Sequence, residues 1–321
     1  MKRRNGLKAI FIGLLALVGM LSVLASDSFA AYPDKVIRFI VPYSPGGSSD
    51  TTARILAPEL EKILGQPVIV ENITGAGGWV GWNELMKAEP DGYTIGEITL
   101  VYITSYLNPE LNRKETLDSV TLFVNHVTDY TAWAVRPDSP YKNMKDLLSF
   151  VKDNPGKIKV ATSGANTQHH RLVLQLEKQG YKMEALHTSG TADSQALILG
   201  GHVDVASIGA GDVRKQMDAG ALIPLATFSE KRSTFLPDTP TLHEQTGMGF
   251  VGFDSRGIAG PKGIDPEVIK VLNNAFEKVM TDPGWIAKME TIGQEVNYID
   301  NEHYRDYLES IAQDIKTTMN W

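Results

Sequence analysis

The chain has 321 residues, no cysteine, and 38 acidic against 31 basic side chains, for a formal net charge of −7. The missing cysteine rules out disulfides and a cysteine-linked lipid anchor, and the acidic balance argues against nucleic acid or an anionic membrane as partner. The length is enough for two lobes with cores of their own.

The first thirty residues read as an export signal rather than fold. Lys2, Arg3, Arg4 and Lys8 form a basic start, Ala9 to Ala25 is an almost uncharged apolar run, and Ser28-Phe29-Ala30 offers small residues where a signal peptidase reads. The run is short for a membrane span and lacks a basic stop, so cleavage after Ala30 and a mature chain in the periplasm are expected; an uncleaved anchor is the alternative. The mature chain then carries 27 basic and 37 acidic groups, a net of −10. Its own field would not attract an anion, so an anionic ligand must be held by local donors.

The stretch from Val36 to Asp50 organises the mature chain. Ile37, Phe39 and Val41 alternate as in a strand with a buried face, and Pro42 and Pro45 end its ladder. Gly46 and Gly47 free the backbone, Ser48, Ser49 and Asp50 are helix-capping types, and Ala53, Leu56, Leu60, Ile63 and Leu64 share one helical face. A strand that opens a helix in this way aims unpaired N–H groups outward at the positive end of the helix dipole, a place that binds an anion. Neither nucleotide loop signature is present: in Gly75-Ala-Gly77-Gly78-Trp79-Val80-Gly81 the third glycine falls one place late. Asp50 would repel a polyphosphate, so a carboxylate fits better.

Beyond this, strand and helix alternate. Strands are expected at Val68 to Val70, Tyr93 to Ile98, Thr131 to Val135, Lys157 to Ala161, Val203 to Ile208 and Ile223 to Phe228. Helices are expected at Val80 to Lys87, Met144 to Lys152, Asn166 to Gln179, Ala192 to Leu199, Asp212 to Ala219, Pro266 to Met280 and His303 to Thr318. The repeated β-α units predict an α/β fold of mainly parallel sheets flanked by helices. Three more strand-to-helix loops resemble the first in composition: Thr162 to Thr167, Thr188 to Thr191 and Ser207 to Asp212. Ligands collect at the carboxyl ends of parallel strands, so four such loops favour a cleft lined with hydroxyl and amide donors, although each alone could simply cap its helix.

These motifs resemble the periplasmic solute receptors of tripartite tricarboxylate transporters, the Bug or TctC-like proteins. The resemblance rests on Tyr32-Pro-Asp-Lys35, Val41 to Asp50, Gly65-Gln-Pro-Val68, Glu71-Asn72 with Gly75 to Gly78, and Pro90-Asp-Gly-Tyr-Thr94. It continues through Gly201-His-Val-Asp204, Arg232 with Leu236 to Thr241, and Gly257 to Pro261. It implies a two-lobed, type II-like periplasmic binding fold in which two crossing strands join the lobes. The lobes would be residues 31–130 with 254–321 and residues 131–253, hinged near Tyr130 to Ala134 and Gly252 to Gly257. It also implies a small carboxylate held at Tyr43, Ser44, Gly46, Gly47, Ser48, Ser49 and Asp50. The second lobe would add Ser163, Gly164, Thr167, Thr188, Ser189, Gly190, Thr191 and Ala192. The receptor would be a monomer without cofactor or metal, delivering its ligand to the large and small permease components of an integral-membrane transporter. The chain departs from the family at Asn166-Thr167, at His187 to Gly190 and at Trp79, which leaves the far end of the pocket open.

Two other readings stay in view. A periplasmic sensor would present the same ligand-bound form to a signalling partner. A hydrolase would need a nucleophile, but there is no G-x-S-x-G elbow and no H-x-x-x-H metal spacing; His169-His170 beside Ser163, or Asp50 with Asp193, are the groups it would use. Adjacent histidines point to different faces, so His170 is expected to cap or pack. Arg256 is the one candidate clamp for a dicarboxylate, against an alternative as a surface residue. Tyr43, Trp79 and Phe253 leave room for an aromatic acid.

Overall fold

A computed structural model describes residues 32–165 and 167–321, and the chain divides into two units, Met1–Asp34 and Lys35–Trp321. The expected signal segment, residues 1–30, and the loop residue Asn166 lie outside the described residues.

In the larger unit the alternating stretch becomes β1 (Ile37–Val41), followed by α1 (Ser48–Leu64), β2 (Val68–Asn72), α2 (Trp79–Lys87), β3 (Thr94–Thr99) and α3 (Leu100–Leu107). β1 is the middle of a parallel trio, paired to β2 through Ile37↔Val68 and to β3 through Arg38↔Thr94. Ile37, Phe39 and Val41 are fully buried and so is Ile40 on the other face, as in a parallel strand covered from both sides. Ala53, Leu56 and Leu60 of α1 are buried at helical spacing, and Gly65 closes the helix at φ 70°, a left-handed conformation natural to glycine. Helix α3 is absent from the periodicity reading because Thr94 to Leu107 is almost continuously apolar or β-branched. What separates strand from helix there is Thr99, whose side chain accepts the Val101 N–H as a cap.

The next strand, β4 (Val120–Val135), has 16 residues, far more than the expected Thr131 to Val135. Asn125, His126, Thr128 and Asp129 interrupt its apolar pattern and hide it from hydropathy, yet the first three are buried and the Asp129 side chain is only 12% exposed. After it come α4 (Met144–Asp153), β5 (Lys159–Thr162), α5 (Gln168–Lys178), β6 (Glu184–His187), α6 (Thr191–Leu199), β7 (Val205–Gly209), α7 (Ala210–Asp218), β8 (Ile223–Thr227) and α8 (Leu242–Thr246). The chain closes with β9 (Phe253–Pro261), α9 (Pro266–Met280), α10 (Pro283–Thr291), β10 (Glu295–Ile299) and α11 (Asn301–Met319). β6, α8, β9, α10 and β10 are absent from the periodicity reading, although the resemblance implied a crossing strand near Gly252 to Gly257. β5 runs parallel to β6 and β7, whereas every pair that includes β4 or β9 is antiparallel. The sheets are therefore mixed, parallel in their outer strands and antiparallel where the chain crosses and returns.

β4 changes partners along its length. From Val120↔Pro261 to Tyr130↔Phe253 it pairs with β9, and from Thr131↔Gly209 and Ala132↔Thr227 onward it pairs with β7 and β8. The returning chain is pinned at the same level, where Gly252 donates to Phe228 O (2.9 Å) and accepts from Thr131 N–H (2.8 Å). A Cβ on Gly252 would lie 2.5 Å from the Leu172 side chain, so a larger residue there would force Leu172 to shift. Separate cores flank the exchange. Trp79, Trp82, Tyr102 and Tyr304 belong to one, while Trp133, Leu147, Leu172 and Phe228 and Ile198, Ile208 and Val213 fill the two faces of the other sheet. Among the described residues no helix is long and apolar enough to cross a membrane.

Candidate functional site

The loop between β1 and α1 is braced by Asp50. This residue is only 3% exposed, and its carboxylate accepts from Gly46 N–H (2.8 Å), Arg54 Nε (3.0 Å) and Asn72 Nδ2 (2.9 Å). Asn72 Nδ2 also reaches Tyr43 O at 3.0 Å, tying both ends of the loop to the end of β2. Burial alone would push the Asp50 carboxyl up, but the hydrogen bonds from Arg54, Gly46 and Asn72 outweigh it and hold it below its ordinary value. Asp50 is therefore not the helix cap anticipated from its residue type. It shapes the loop, and with Gly46 N–H engaged by it, neither group is free for a ligand.

The cap position of α1 belongs to Gly47, which is extended (φ −74°, ψ 172°) and supplies no side-chain cap. The first helical bond in this turn is Thr51 N–H to Gly47 O, which leaves the N–H groups of Ser48 and Ser49 without a helical acceptor. Ser44, Gly46 and Gly47 are exposed, Ser48 is half-buried and Ser49 buried. Tyr43 stands beside this start, its hydroxyl 2.7 Å from Thr99 Oγ1. Burial, together with the Asp254 carboxylate, raises the Tyr43 phenol, which keeps it a neutral donor or acceptor.

In the other lobe the parallel pairs Thr162↔His187 and Ala161↔Ala206 bring the loops after β5, β6 and β7 side by side. Thr188 N–H bonds Thr162 O at 2.9 Å, and the Thr188 hydroxyl lies within reach of Gly190 O (2.8 Å) and Ser194 Oγ (2.9 Å). Ser189 Oγ donates to Asp193, which ties that acid into the loop. Helix α6 begins after Gly190, again with no side-chain cap, and Thr191 and Ala192 open its first turn. Thr167 behaves differently: it caps α5, accepting from His170 N–H (3.4 Å) and donating to Gly164 O (2.8 Å). Ser163 and Gly164 are half-buried beside it, and Gly164 has φ +126°, which disfavours any side chain there. Among the described residues no hydrogen bond runs directly from the β1–α1 loop to these loops; the chain joins them through β4 and β9.

The adjacent pair His169-His170 is packed rather than poised as a catalytic base. His169 is buried between Thr131 Oγ1 (3.4 Å) and Ser207 Oγ (3.3 Å), and burial, helped by Arg171 and Arg256, lowers it to about 3. His170 packs edge-on against His187 with ring centroids 4.4 Å apart, and burial next to that ring lowers it to about 4. No group of three or more metal-ligating side chains occurs among the described residues. Trp79 is a packing residue, stacked on Tyr102 at 5.3 Å and edge-on to Trp82 at 5.6 Å.

Sequence reasoning missed a cluster of buried charge at the strand exchange. Asp129 and Asp254 face each other across β4 and β9, an arrangement of like charges that costs stability unless compensated. Arg256 compensates it, with Nη2 3.6 Å from Asp129 and 3.9 Å from Asp254, while Nη1 donates to Gln294. Arg256 is thus neither a surface residue nor an open ligand clamp. Glu97 joins the same group, its carboxylate fully buried with the Ser49 hydroxyl beside it. Burial pushes Glu97 and Asp129 each up to about 7, with Arg256 pulling the other way. The available signal was Asp129 in an apolar strand and the Asp254-x-Arg256 spacing, which places both on one face. The cluster touches the loop through the Ser49 hydroxyl beside Glu97, and through Asp254, which accepts Leu100 N–H at 3.3 Å, next to the Thr99 that holds Tyr43.

A family model described as "Tripartite tricarboxylate transporter family receptor" matches residues 52–318. The "UPF0065 protein in gbd 5'region" of Cupriavidus necator is 33% identical over 312 residues, covering 96% of this chain and 94% of its own. The solved periplasmic binding protein BugD superposes with a TM-score of 0.77 at 29% identity, covering 89% of this chain and 98% of its own. A TctC solute binding protein from Polaromonas gives 0.74 at 28% identity, covering 90% and 99%. The chain therefore belongs to the receptor family of the tripartite tricarboxylate transporters, as a two-lobed solute receptor rather than an enzyme.

Proposed function

We propose that the protein is exported to the periplasm by cleavage after Ala30, captures a small organic carboxylate between its lobes, and delivers it as a monomer to the large and small subunits of a membrane permease. The lobes are residues 31–130 with 254–321 and residues 131–253. The observation that carries the ligand class is the start of α1, where Gly47 holds the cap position without a side chain and the N–H groups of Ser48 and Ser49 have no helical acceptor at the end of β1. Neutral donors at a helix N-terminus suit one carboxylate group. The ligand would meet Tyr43, Ser44, Gly47, Ser48 and Ser49 on one side. On the other it would meet Ser163, Gly164 and the uncapped turn from Thr188 through Ser189, Gly190 and Thr191 to Ala192. Gly46, Asp50 and Thr167 hold the loops in shape.

Closure about the strands near Tyr130 and Gly252 would exclude water and strengthen each bond to the carboxylate. The test is a thermal-shift screen of the chain from Ala31 onward against mono-, di- and tricarboxylates, aromatic acids, amino acids, sugars and nucleotides, since a ligand that binds the native state raises Tm. Stabilisation confined to carboxylates, with affinity reduced by roughly 1–3 kcal/mol in Ser49→Ala, is expected. A response to sugars or nucleotides alone would overturn the reading.

A further inference from the structure

The register of the crossing strands gathers buried charge onto one face beside the ligand loop. Thr99 stands opposite Arg256, Glu97 opposite Ile258 and Asp129 opposite Asp254, so Glu97, Thr99, Arg256, Asp254 and Asp129 share one side of the sheet. On that side Thr99 holds the Tyr43 hydroxyl, and the Ser49 hydroxyl lies beside the Glu97 carboxylate. Glu97 is fully buried, and its strand is anchored by Trp82 Nε1, which donates to Glu97 O at 2.9 Å. Glu97, Asp129 and Asp254 thus gather around a single guanidinium, and Arg256 already directs Nη2 at both aspartates and Nη1 at Gln294.

The other groups facing Glu97 supply no further positive charge. Asp50 on α1 is anionic and paired with Arg54. Burial keeps the phenols of Tyr43 in the loop and Tyr304 on α11 neutral. His126 on β4, near Arg256, is lowered by burial to about 3, and α2 contributes the Trp82 indole. Burial pushes Glu97 itself up to about 7, with Arg256 and the Ser49 hydroxyl pulling the other way. A ligand carboxylate on the Ser49 N–H would bring one more negative charge to the residue whose hydroxyl meets Glu97, and a like charge nearby favours the protonated form of a carboxyl. We propose that Glu97 is a proton site linked to ligand capture: it takes a proton from solvent when a carboxylate docks at the start of α1 and returns it when the ligand leaves. The linkage rests on the reading of that helix start as the carboxylate site. Affinity is then complete below about pH 7, where the unliganded receptor already holds the proton, and falls as pH rises above it, by at most about tenfold per pH unit. Acidic surroundings favour capture and alkaline ones release.

The experiment is calorimetric titration of the protein from Ala31 onward with propionate, succinate and benzoate, a mono-, a di- and an aromatic carboxylate that are all ionised above pH 7. Kd is measured at pH 6.5 and 8.5, and proton uptake at pH 8 from the difference between HEPES and Tris, whose ionisation enthalpies differ. For an acid that binds, Kd should be at least about fivefold weaker at pH 8.5, with uptake of about half a proton per ligand at pH 8. Both effects should vanish in Glu97→Gln. Infrared difference spectra of the unsubstituted protein, with and without carbon-13 glutamate, follow the same proton without a variant: the protonated-carboxyl band gained on ligand binding at pH 8 should move on labelling. Binding without proton uptake, or a band that labelling does not move, would overturn the proposal and leave the receptor reading intact. So would uptake retained in Glu97→Gln, which would assign the proton to Asp129 or to His187 beside the second-lobe turn. No binding of any of the three acids would instead overturn the carboxylate reading of the α1 start, and the linkage with it.

Discussion

The helix starts after β1 and β5 have nearly the same composition, glycine among small hydroxyl residues at the carboxyl end of a parallel strand, but they are built in opposite ways. Thr167 turns its hydroxyl back onto His170 N–H and fills the start of α5 from within. Gly47 has no side chain to turn back, so α1 begins with its amides unanswered. α2, α6 and α7 also begin after a glycine without a side-chain cap, while the other described α-helices carry an Asn, Asp or Thr cap. Whether such a loop can bind an anion is decided by the residue at the cap position, since a cap occupies the donors that a ligand would use.

Converting the first start into the second should produce the largest effect. Gly47 has an ordinary backbone conformation, and a Cβ there would come no closer than 3.4 Å to Ser44 O, so Gly47→Asn should fold. As a cap, asparagine gains only a few tenths of a kcal/mol over glycine. Its side chain would nevertheless occupy the amides meant for the ligand carboxylate, at a cost to binding of roughly 2 kcal/mol or more, about thirtyfold. Calorimetry with the carboxylate found in the thermal screen, beside a urea melt, separates the two quantities. Unchanged affinity would remove the α1 start from the site.

The strand exchange sharpens the contrast, because there charge is concentrated rather than avoided. Glu97 keeps its proton in the folded chain to about pH 7, against an ordinary value of 4.5 in the unfolded chain. The native state therefore binds more protons across that interval, and stability falls as pH rises from about 4.5 to 7, then levels off. Asp129 adds a fall of the same sign. Asp50, held below its ordinary value, acts oppositely, contributing stability that is lost as pH falls through its folded value. Glu97→Gln should reduce the decline and raise stability at pH 8 by roughly 1–3 kcal/mol, the scale of a buried polar group whose charge is only partly met. Urea melts from pH 5 to 8 measure it, and an unaltered slope would mean that Glu97 does not titrate in this window.

Much of the fold could be read from periodicity, because strands such as Ile37–Val41 and helices such as Ser48–Leu64 bury residues at the spacing their geometry demands. Periodicity failed where burial and polarity part company. The first two thirds of β4 carry Asn125, His126 and Asp129 into the interior, and no hydropathy pattern predicts a strand that buries such groups. The site was legible as a set of loops, because small residues after strands are visible in the chain. The role of each residue in them was not: Asp50 serves as brace rather than cap because Asn72 and Arg54 come to it from elsewhere in the fold.

The smallest effect tests the other side of the first comparison. The Thr167 hydroxyl bonds within its own loop, accepting from His170 N–H and donating to Gly164 O. Thr167→Ala should therefore cost about 1 kcal/mol of stability, the usual value of a lost cap. Carboxylate affinity should change less than threefold, or about 0.6 kcal/mol, because no donor leaves the cleft. Freed amides at the start of α5 could only add donors. A large loss of affinity with little change in the melt would place the Thr167 hydroxyl on the ligand and make the two helix starts partners in binding rather than opposites.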